Sequence, residues 1–225
     1  VKLPFNTVPV GIVSKGDICV TISFHKTEMF TDFVVYTQRK GKNIKDNFDL
    51  VLKLLLSSSV WYLKYLKQVN QKIKLAEDNL EESIKNEELQ ALLQIEKCLV
   101  FFMTSLKGND ILLHRIKNLK SQRDSYDPEL LEDVEIELRQ AQETTNIYSD
   151  ILTGMMDAYA SVISNNLNAI MKQMTSISII LMIPTVIASL YGMNVPNNLE
   201  GNAYGLPIVI LVSIILSVFG VFLFK

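Results

Sequence analysis

The sequence is nearly devoid of charge at its carboxyl end. Among the 52 residues from Gln173 to Phe224 there is one charged side chain, Glu200. The other charges, apart from Lys225, number 44 and lie in residues 1–172. A helix that crosses the hydrocarbon core of a bilayer, which is about 30 Å thick, needs about 18 or more apolar residues without charge. The split predicts a membrane protein with a substantial water-exposed part.

Other scarce residue types exclude further classes. The net charge is −2 and the basic residues are dispersed, which argues against nucleic acid as a partner. Cys19 and Cys98 are 79 residues apart, a spacing that fits neither a disulfide framework nor a CxxC metal site, so reduced thiols in a cytosolic compartment are expected. The isolated His25 and His114 are interpreted as ordinary residues. No nucleophile, P-loop or dinucleotide motif occurs, so an enzyme is the least favoured class.

The first 126 residues divide into a strand-like part and a helical part. Runs of β-branched and aromatic residues predict strands at 18–24 and 33–37. Residues 1–45 are therefore expected to be the C-terminal part of a cytoplasmic α/β domain whose N-terminal part is missing. Apolar residues at helical spacing predict cytoplasmic helices within 46–126, with a break or kink at 107–110.

A very long helix is predicted to begin at Asp127-Pro128-Glu129, which supplies an N-cap, a proline at the first helical position and acids in the first turn. If it continues to Tyr191, it has 65 residues and a length of roughly 97 Å. We interpret 127–172 as a stalk, 173–193 as the first transmembrane helix, 194–205 as an outer loop and 206–224 as the second transmembrane helix.

The orientation in the membrane follows from two lysines. Lys172 and Lys225 bracket the two spans on the same side. By the positive-inside rule, the large N-terminal part and the chain end are cytoplasmic and the loop lies outside the cell membrane.

Acidic residues accumulate in the first part of this helix. Between 127 and 157 there is one base, Arg139, against nine acids: Asp127, Glu129, Glu132, Asp133, Glu135, Glu137, Glu143, Asp150 and Asp157. A solvated acidic face explains most of them. The imbalance also suits divalent cations or a basic partner surface.

A seam of small, polar and methionine residues follows the helix in alternating steps of four and three. Its members are Asp150, Gly154, Asp157, Ser161, Ser164, Asn168, Met171, Thr175, Ser178, Met182, Thr185, Ser189 and Gly192. This period keeps all of them on one side of a slightly supercoiled helix. Such residues either serve close packing of membrane helices or line a water-filled axis between several copies of the helix. The continuation of the seam into acids below the membrane favours a pore.

The motif Tyr191-Gly192-Met193-Asn194 directly follows the first span, at the outer end of the seam. It resembles the signature of the CorA family of magnesium transport proteins. The resemblance extends upstream through 182–190 and 164–172, covers the second span and, more loosely, includes Glu132-Asp133-Val134.

The resemblance implies a mainly α membrane protein that assembles as a homopentameric funnel. Five stalk helices continue as pore-lining first spans, and the second spans form an outer ring. Gly192, Met193 and Asn194 form the outer, ion-selective mouth, where Asn194 receives the ion. The matching pore-facing positions are Asp157, Asn168, Met171, Met182 and Thr185, and Thr175, Ser178 and Ser189 belong to the same seam.

The resemblance also implies regulation by the transported ion. Asp133 matches an acid of a magnesium sensor between subunits, and Glu129 and Glu132 are further candidates for this regulatory metal site. Met171 and Met182 are expected to form apolar constrictions that dewet in a closed state. A ring of Glu200 carboxylates in the outer loop is expected to attract cations. Mg²⁺ is thus both cargo and regulator.

Other functions remain open at this point. Co²⁺ and Ni²⁺ are additional candidate ions, and a transporter of another divalent cation such as Zn²⁺ is an alternative, although the GMN residues favour Mg²⁺. A two-span membrane anchor or sensor is a further alternative, but its seam should be apolar or arbitrary.

Overall fold

The computed structural model describes residues 3–16, 18–39, 44–82, 86–118, 127–193 and 203–223. The chain divides into two compact units, Val1–Ala158 and Tyr159–Lys225, called unit 1 and unit 2 below. In chain order the elements are β1 (Val10–Lys15), β2 (Ile18–Ser23), α1 (Glu28–Arg39), α2 (Asn47–Glu82), α3 (Asn86–Lys117), α4 (Pro128–Tyr191) and α5 (Gly205–Leu223). The mainly helical architecture predicted from the sequence is confirmed.

The strands β1 and β2 form an antiparallel hairpin at the start of unit 1. Val10 pairs with Ser23 and Lys15 pairs with Ile18 at the two ends of the ladder. Gly16, next to the turn, has a φ of 57°, a left-handed conformation that glycine adopts without a steric penalty. The predicted strand at 18–24 is therefore confirmed, with its end at Ser23.

Helix α1 lies where the sequence predicted a strand at 33–37, and that prediction is wrong. The partly covered side chains of the helix recur every three to four residues, at Met29, Phe30, Phe33 and Thr37. This spacing forms one helical face, which packs on α2. Packing of this partly covered face on α2 outweighs the local β propensity, because strand propensities span only about 1 kcal/mol.

Helix α2 begins with a reciprocal cap. The Asp46 carboxylate accepts a hydrogen bond from the Asp49 backbone N–H at 2.8 Å, and the Asp49 carboxylate accepts one from the Lys45 backbone N–H at 2.9 Å. The nearly buried Asp49 also accepts from the Lys53 ammonium at 2.6 Å. These bonds satisfy donors that a helix start leaves without helical partners.

Helix α3 runs without interruption through 107–110, so the predicted break is wrong. Gly108 in a helix interior costs only about 1 kcal/mol relative to alanine. The buried side chains of Leu106, Leu113 and Ile116 on either side of it outweigh that cost.

The core of unit 1 is shared by α2, α3 and the first part of α4. Its buried cluster consists of Leu52, Leu55, Leu106, Leu113, Ile116, Val134, Leu138 and Ala141. The Gln142 side-chain amide donates to the Leu106 carbonyl at 3.3 Å, and an ion pair joins Lys117 to Glu135. These contacts fix the acidic part of α4 against α3.

Among the residues that the structure describes, three helices are long and apolar enough to cross a membrane by length and composition alone: Glu87–Lys117, Pro128–Tyr191 and Gly205–Phe222. The sequence analysis predicted only the last two. The apolar 18-residue stretch of α3 is 33% buried inside the protein, whereas the corresponding stretch of α4 is 0% buried. We therefore interpret α3 as a core helix of unit 1.

The residues before the hairpin also pack on this unit. The Phe5 ring lies 5.5 Å from Tyr65 and 6.3 Å from Phe102, measured between ring centroids. The Cys98 thiol donates to the Phe5 carbonyl at 3.2 Å, and burial raises the pKa of this thiol. Both cysteines are free thiols.

Helix α4 begins as the sequence predicted. The Asp127 carboxylate accepts a hydrogen bond from the Glu129 backbone N–H at 3.2 Å, and Pro128 is the first helical residue. The helix has 64 residues and ends at Tyr191, with Pro184 inside it.

In unit 2, α5 has 19 residues and a length of about 28 Å, which matches the thickness of the hydrocarbon core of a bilayer.

The assignment of α3 to the core can be tested with a matched pair of leucines. Leu106 is 0% exposed and Leu93 is 45% exposed on the same helix. Leu106→Ala should lower the free energy of unfolding by about 2–5 kcal/mol, because it opens a cavity. Leu93→Ala should change it by less than about 1 kcal/mol. Urea denaturation of the purified chain in detergent measures both, and equal losses would contradict the assignment.

Candidate pore-lining site

The polar seam of α4 is exposed along unit 2. All of its positions there lie on the surface: Ser161, Ser164, Asn168, Met171, Thr175, Ser178, Met182, Thr185, Ser189 and Gly192. The methionine side chains are 63% exposed at Met171 and 64% at Met182. No other described element of this unit covers the seam.

Helix α5 packs on the other side of α4. Between Ser176 and Tyr191 the partly covered side chains of α4 are Ser176, Ile180, Ile183, Pro184 and Ile187. At 3.6 residues per turn, their mean direction lies roughly 160° from that of the seam. The seam is therefore free because the helix pair uses the opposite face of α4 for packing.

The hydroxyl groups of the seam are oriented by their own helix. Thr175 donates to the Met171 carbonyl at 2.8 Å, Ser178 to Met174 at 2.8 Å and Thr185 to Leu181 at 3.0 Å. Each hydroxyl has one proton, and these bonds use it. The oxygen lone pairs remain available, so the exposed seam presents hydrogen-bond acceptors.

Gly192 ends the described seam at a point of close backbone approach. Its N–H donates to the Ala188 carbonyl at 2.8 Å. A Cβ at this position would lie 3.1 Å from the same oxygen, which is tighter than an ordinary contact. A side chain here would therefore require a shift of a few tenths of an ångström, so the position favours glycine. Met193 is exposed beside it.

In unit 1 the seam extends further upstream than the sequence analysis followed it. The same alternating steps continue back from Asp150 through Ile147, Glu143, Gln140, Ile136, Asp133 and Glu129, and all of these residues are exposed. The buried residues of α4 here are Val134, Leu138, Ala141, Thr145 and Leu152, on the opposite face. The continuation was not predicted, because Ile136 and Ile147 are apolar. The alternating steps of four and three residues are nevertheless present in the sequence.

The predicted regulatory acids are all exposed in unit 1. Glu129 and Asp133 belong to the seam, and Glu132 lies beside it. Within the described residues, no group of three or more histidine, cysteine, aspartate or glutamate side chains is placed to hold a metal ion.

The remaining predicted residues fall in two groups. Asp157 is exposed on the seam in unit 1, together with Asp150 and Gly154. Asn194, Glu200 and Lys225 lie outside the residues that the structure describes, as does most of the predicted outer loop.

Comparison with known proteins gives a family and several relatives. The profile of the family described as "CorA-like Mg2+ transporter protein" matches residues 3–225. The chain is 25% identical to the cobalt/magnesium transport protein CorA of Methanocaldococcus jannaschii over 225 residues, 98% of this chain and 71% of that protein. It is 28% identical to the protein of the same name from Thermotoga maritima over 184 residues, 80% of this chain and 52% of the relative, or about half its length.

Solved structures show the same fold. The complete structure of the CorA magnesium transporter from M. jannaschii matches with a TM-score of 0.74 at 23% identity, covering 96% of this chain and 74% of that one. The soluble domain of the same transporter matches with a TM-score of 0.52 at 24% identity, covering 66% and 61%. Because the family profile spans the chain from residue 3 to its last residue, the chain belongs to the family of CorA-like Mg²⁺ transporter proteins.

Proposed function

We propose that the chain is one subunit of a homopentameric, channel-like transporter that admits Mg²⁺ to the cytoplasm. The observation that carries this proposal is the exposed polar seam of α4, which lies opposite the packing faces in both units. Membership in a family of transporters also agrees with the expectation that the chain is not an enzyme.

A single copy of the seam cannot conduct ions, because one helix provides only one wall. Polar groups that face lipid are costly unless they are satisfied within the protein or by water. An axial assembly removes that cost, since the seams of several copies face a shared water-filled axis. Symmetric oligomers close in this way around a rotation axis, and the number five follows from the resemblance to the CorA family.

The chemistry of the seam suits a hydrated magnesium ion. Mg²⁺ holds an octahedral shell of water and dehydrates reluctantly. The outward side of that shell consists of water hydrogens, which need acceptors. The hydroxyl oxygens of Thr175, Ser178 and Thr185 are acceptors because their protons are bonded to the helix. A ring of such oxygens can pass a hydrated ion without binding it as tightly as carboxylates would.

The mouth and the acids complete the pathway. Five Asn194 side chains, with Gly192 and Met193, would select the hydrated ion at the outer end, and Glu200 carboxylates would raise the local cation concentration. Asn168, Ser189 and Asp157 continue the polar lining toward the cytoplasm. A membrane potential of 100 mV, negative inside, then drives a divalent ion inward by about 4.6 kcal/mol, so ATP is not required.

Gating combines a hydrophobic constriction with a sensor. The exposed thioethers of Met171 and Met182 would meet around the axis and exclude water when the pore narrows. Mg²⁺ bound at Asp133 between subunits, with Glu129 or Glu132, would cancel repulsion between acidic stalks and hold this closed arrangement. Loss of that ion at low internal concentration would favour the open state.

Location and cargo complete the proposal. The subunit would cross the cell membrane twice, with the N-terminal part and the chain end in the cytoplasm. Both relatives carry cobalt as well as magnesium in their names, so Co²⁺ is the second ion to test, followed by Ni²⁺ and Zn²⁺. Against a two-span anchor stands the seam from Asp150 to Gly192, whose members are all small, polar or methionine.

Counting subunits tests whether the axis exists. Native mass spectrometry of the full chain released from detergent micelles should give a mass five times that of the 25.5 kDa chain. A monomer or dimer would leave the proposed pore without walls and contradict the proposal.

Substitution at Thr185 tests the acceptor ring. Thr185→Val keeps the shape and removes the hydroxyl oxygen, and Thr185→Ser keeps the oxygen. Loss of one hydrogen-bond acceptor costs about 1–3 kcal/mol, so Thr185→Val should lower Mg²⁺ uptake into proteoliposomes about tenfold or more. Thr185→Ser should retain uptake within about threefold of the unchanged chain. If the valine variant transports as well as the serine variant, Thr185 does not contact the hydration shell.

Regulation is tested at Asp133. Asp133→Ala should weaken the inhibition of uptake by Mg²⁺ inside the liposomes, because a ligand and a negative charge of the sensor are lost. We expect the inhibitory concentration to rise about tenfold, which corresponds to about 1.4 kcal/mol. Glu137→Ala, on the same helix but off the seam, serves as the control. Unchanged inhibition in the Asp133 variant would place the sensor elsewhere.

A further inference from the structure

Gly220 of α5 lies directly against α4 within unit 2. A Cβ built on Gly220 would lie 3.3 Å from the Ile183 Cδ1 atom and 3.6 Å from the Ile180 Cγ1 atom. Gly108 and Gly154, by contrast, have nothing within 4 Å of such a Cβ. The absent side chain of Gly220 therefore forms a notch that the two isoleucines of α4 occupy.

The neighbouring residues of α5 widen this notch along the helix. Ser213 and Gly220 are buried, and Ser217 between them buries its hydroxyl oxygen. The Ser213 hydroxyl donates to the Val209 carbonyl at 2.8 Å, so it is satisfied within its own helix. Small residues at these spacings let two membrane helices approach closely.

The notch holds α4 at a turn that its own backbone holds weakly. Pro184 lies inside the helix and has no N–H, so the Ile180 carbonyl cannot receive the usual bond from the residue four positions later. Ile180 and Ile183 belong to this turn, and they are the residues that Gly220 contacts. Packing from α5 thus supports the helix where a backbone hydrogen bond is missing.

The orientation of the seam depends on this support. Met182 and Thr185 flank the Ile183–Pro184 pair in sequence and point to the opposite side of α4. A rotation of this turn by one residue would move them by about 100°. It would turn the methionine and the hydroxyl oxygen away from the seam and replace them with aliphatic side chains such as Leu181.

We propose that Gly220 is a positioning residue for the pore: its notch seats Ile183 and Ile180 and thereby fixes the rotation of α4 at the turn weakened by Pro184. Gly220 touches no ion and acts only through α4. The inference rests on the proposed function, because the direction of Met182 matters only if the seam lines a conduction path.

The test measures which side of α4 faces water, rather than the stability of the protein. The full chain in liposomes carries Met182→Cys or, separately, the neighbouring Leu181→Cys as a reporter. A membrane-impermeant trimethylammonium methanethiosulfonate modifies thiols that face water, and peptide mass spectrometry follows each reporter apart from Cys19 and Cys98. The reaction is run without Mg²⁺ on either side of the membrane, because the proposed open state is then favoured. Under that condition, in the otherwise unchanged chain, the reporter at 182 should react rapidly and the reporter at 181 slowly.

Gly220→Val fills the notch and should displace α4, because overpacking forces neighbouring groups to move. The rate of modification at 182 should then fall about tenfold, whereas the rate at 181 should stay the same or rise. Combining Gly220→Val with Ile183→Ala returns the space and should restore the rate at 182 to within about twofold. Val218→Leu, which adds bulk on an exposed face of α5, should leave both rates unchanged.

Each outcome decides one question. If the reporter at 182 does not react in the otherwise unchanged chain, the proposed pore is wrong. If it reacts but Gly220→Val leaves its rate unchanged, or Ile183→Ala fails to rescue it, only the role of Gly220 is overturned. If the Gly220→Val variant does not assemble, two single variants, Gly220→Ala and Ile183→Ala, provide the same test. Each should slow the reaction at 182 by less than the tenfold expected for Gly220→Val.

Discussion

The division of α4 into a packing face and a free face is the constraint on which the rest of the structure depends. In unit 1 the packing face is apolar and joins the core formed with α2 and α3. In unit 2 it includes Ile180 and Ile183, which lie against Gly220 of α5. The four–three steps from Glu129 to Gly192 fall on exposed residues throughout, and all of them except Ile136, Ile147, Met171 and Met182 are polar or glycine.

Much of this division could be predicted from the sequence, because it depends on local signals. The start of α4 is determined by Asp127-Pro128, and its continuation requires only the absence of glycine and proline clusters. The free face in unit 2 was predicted from the four–three spacing. Its extension to Glu129 was missed because Ile136 and Ile147 look like core residues. Their exposure depends on which face α2 and α3 cover, and the sequence of α4 alone does not contain that information.

The two wrong predictions have one cause. At 33–37 the residue types favoured a strand, and at 107–110 they favoured a break, but both segments are helical. In each case a local preference of about 1 kcal/mol opposed the packing of apolar side chains on one helical face. These side chains are partly covered in α1 and fully buried in α3.

The proline in α4 shows how the two faces depend on each other. A proline inside a helix removes a hydrogen bond, so the turn at Ile180–Pro184 must be stabilised from outside the backbone. In the proposed pore only the packing face can provide that support, because the free face would line the ion path. The glycine notch supports the turn by close packing. A hydrogen bond from α5 would instead have required another polar group within the hydrocarbon layer. The orientation of the polar seam is thus determined by the apolar contacts behind it.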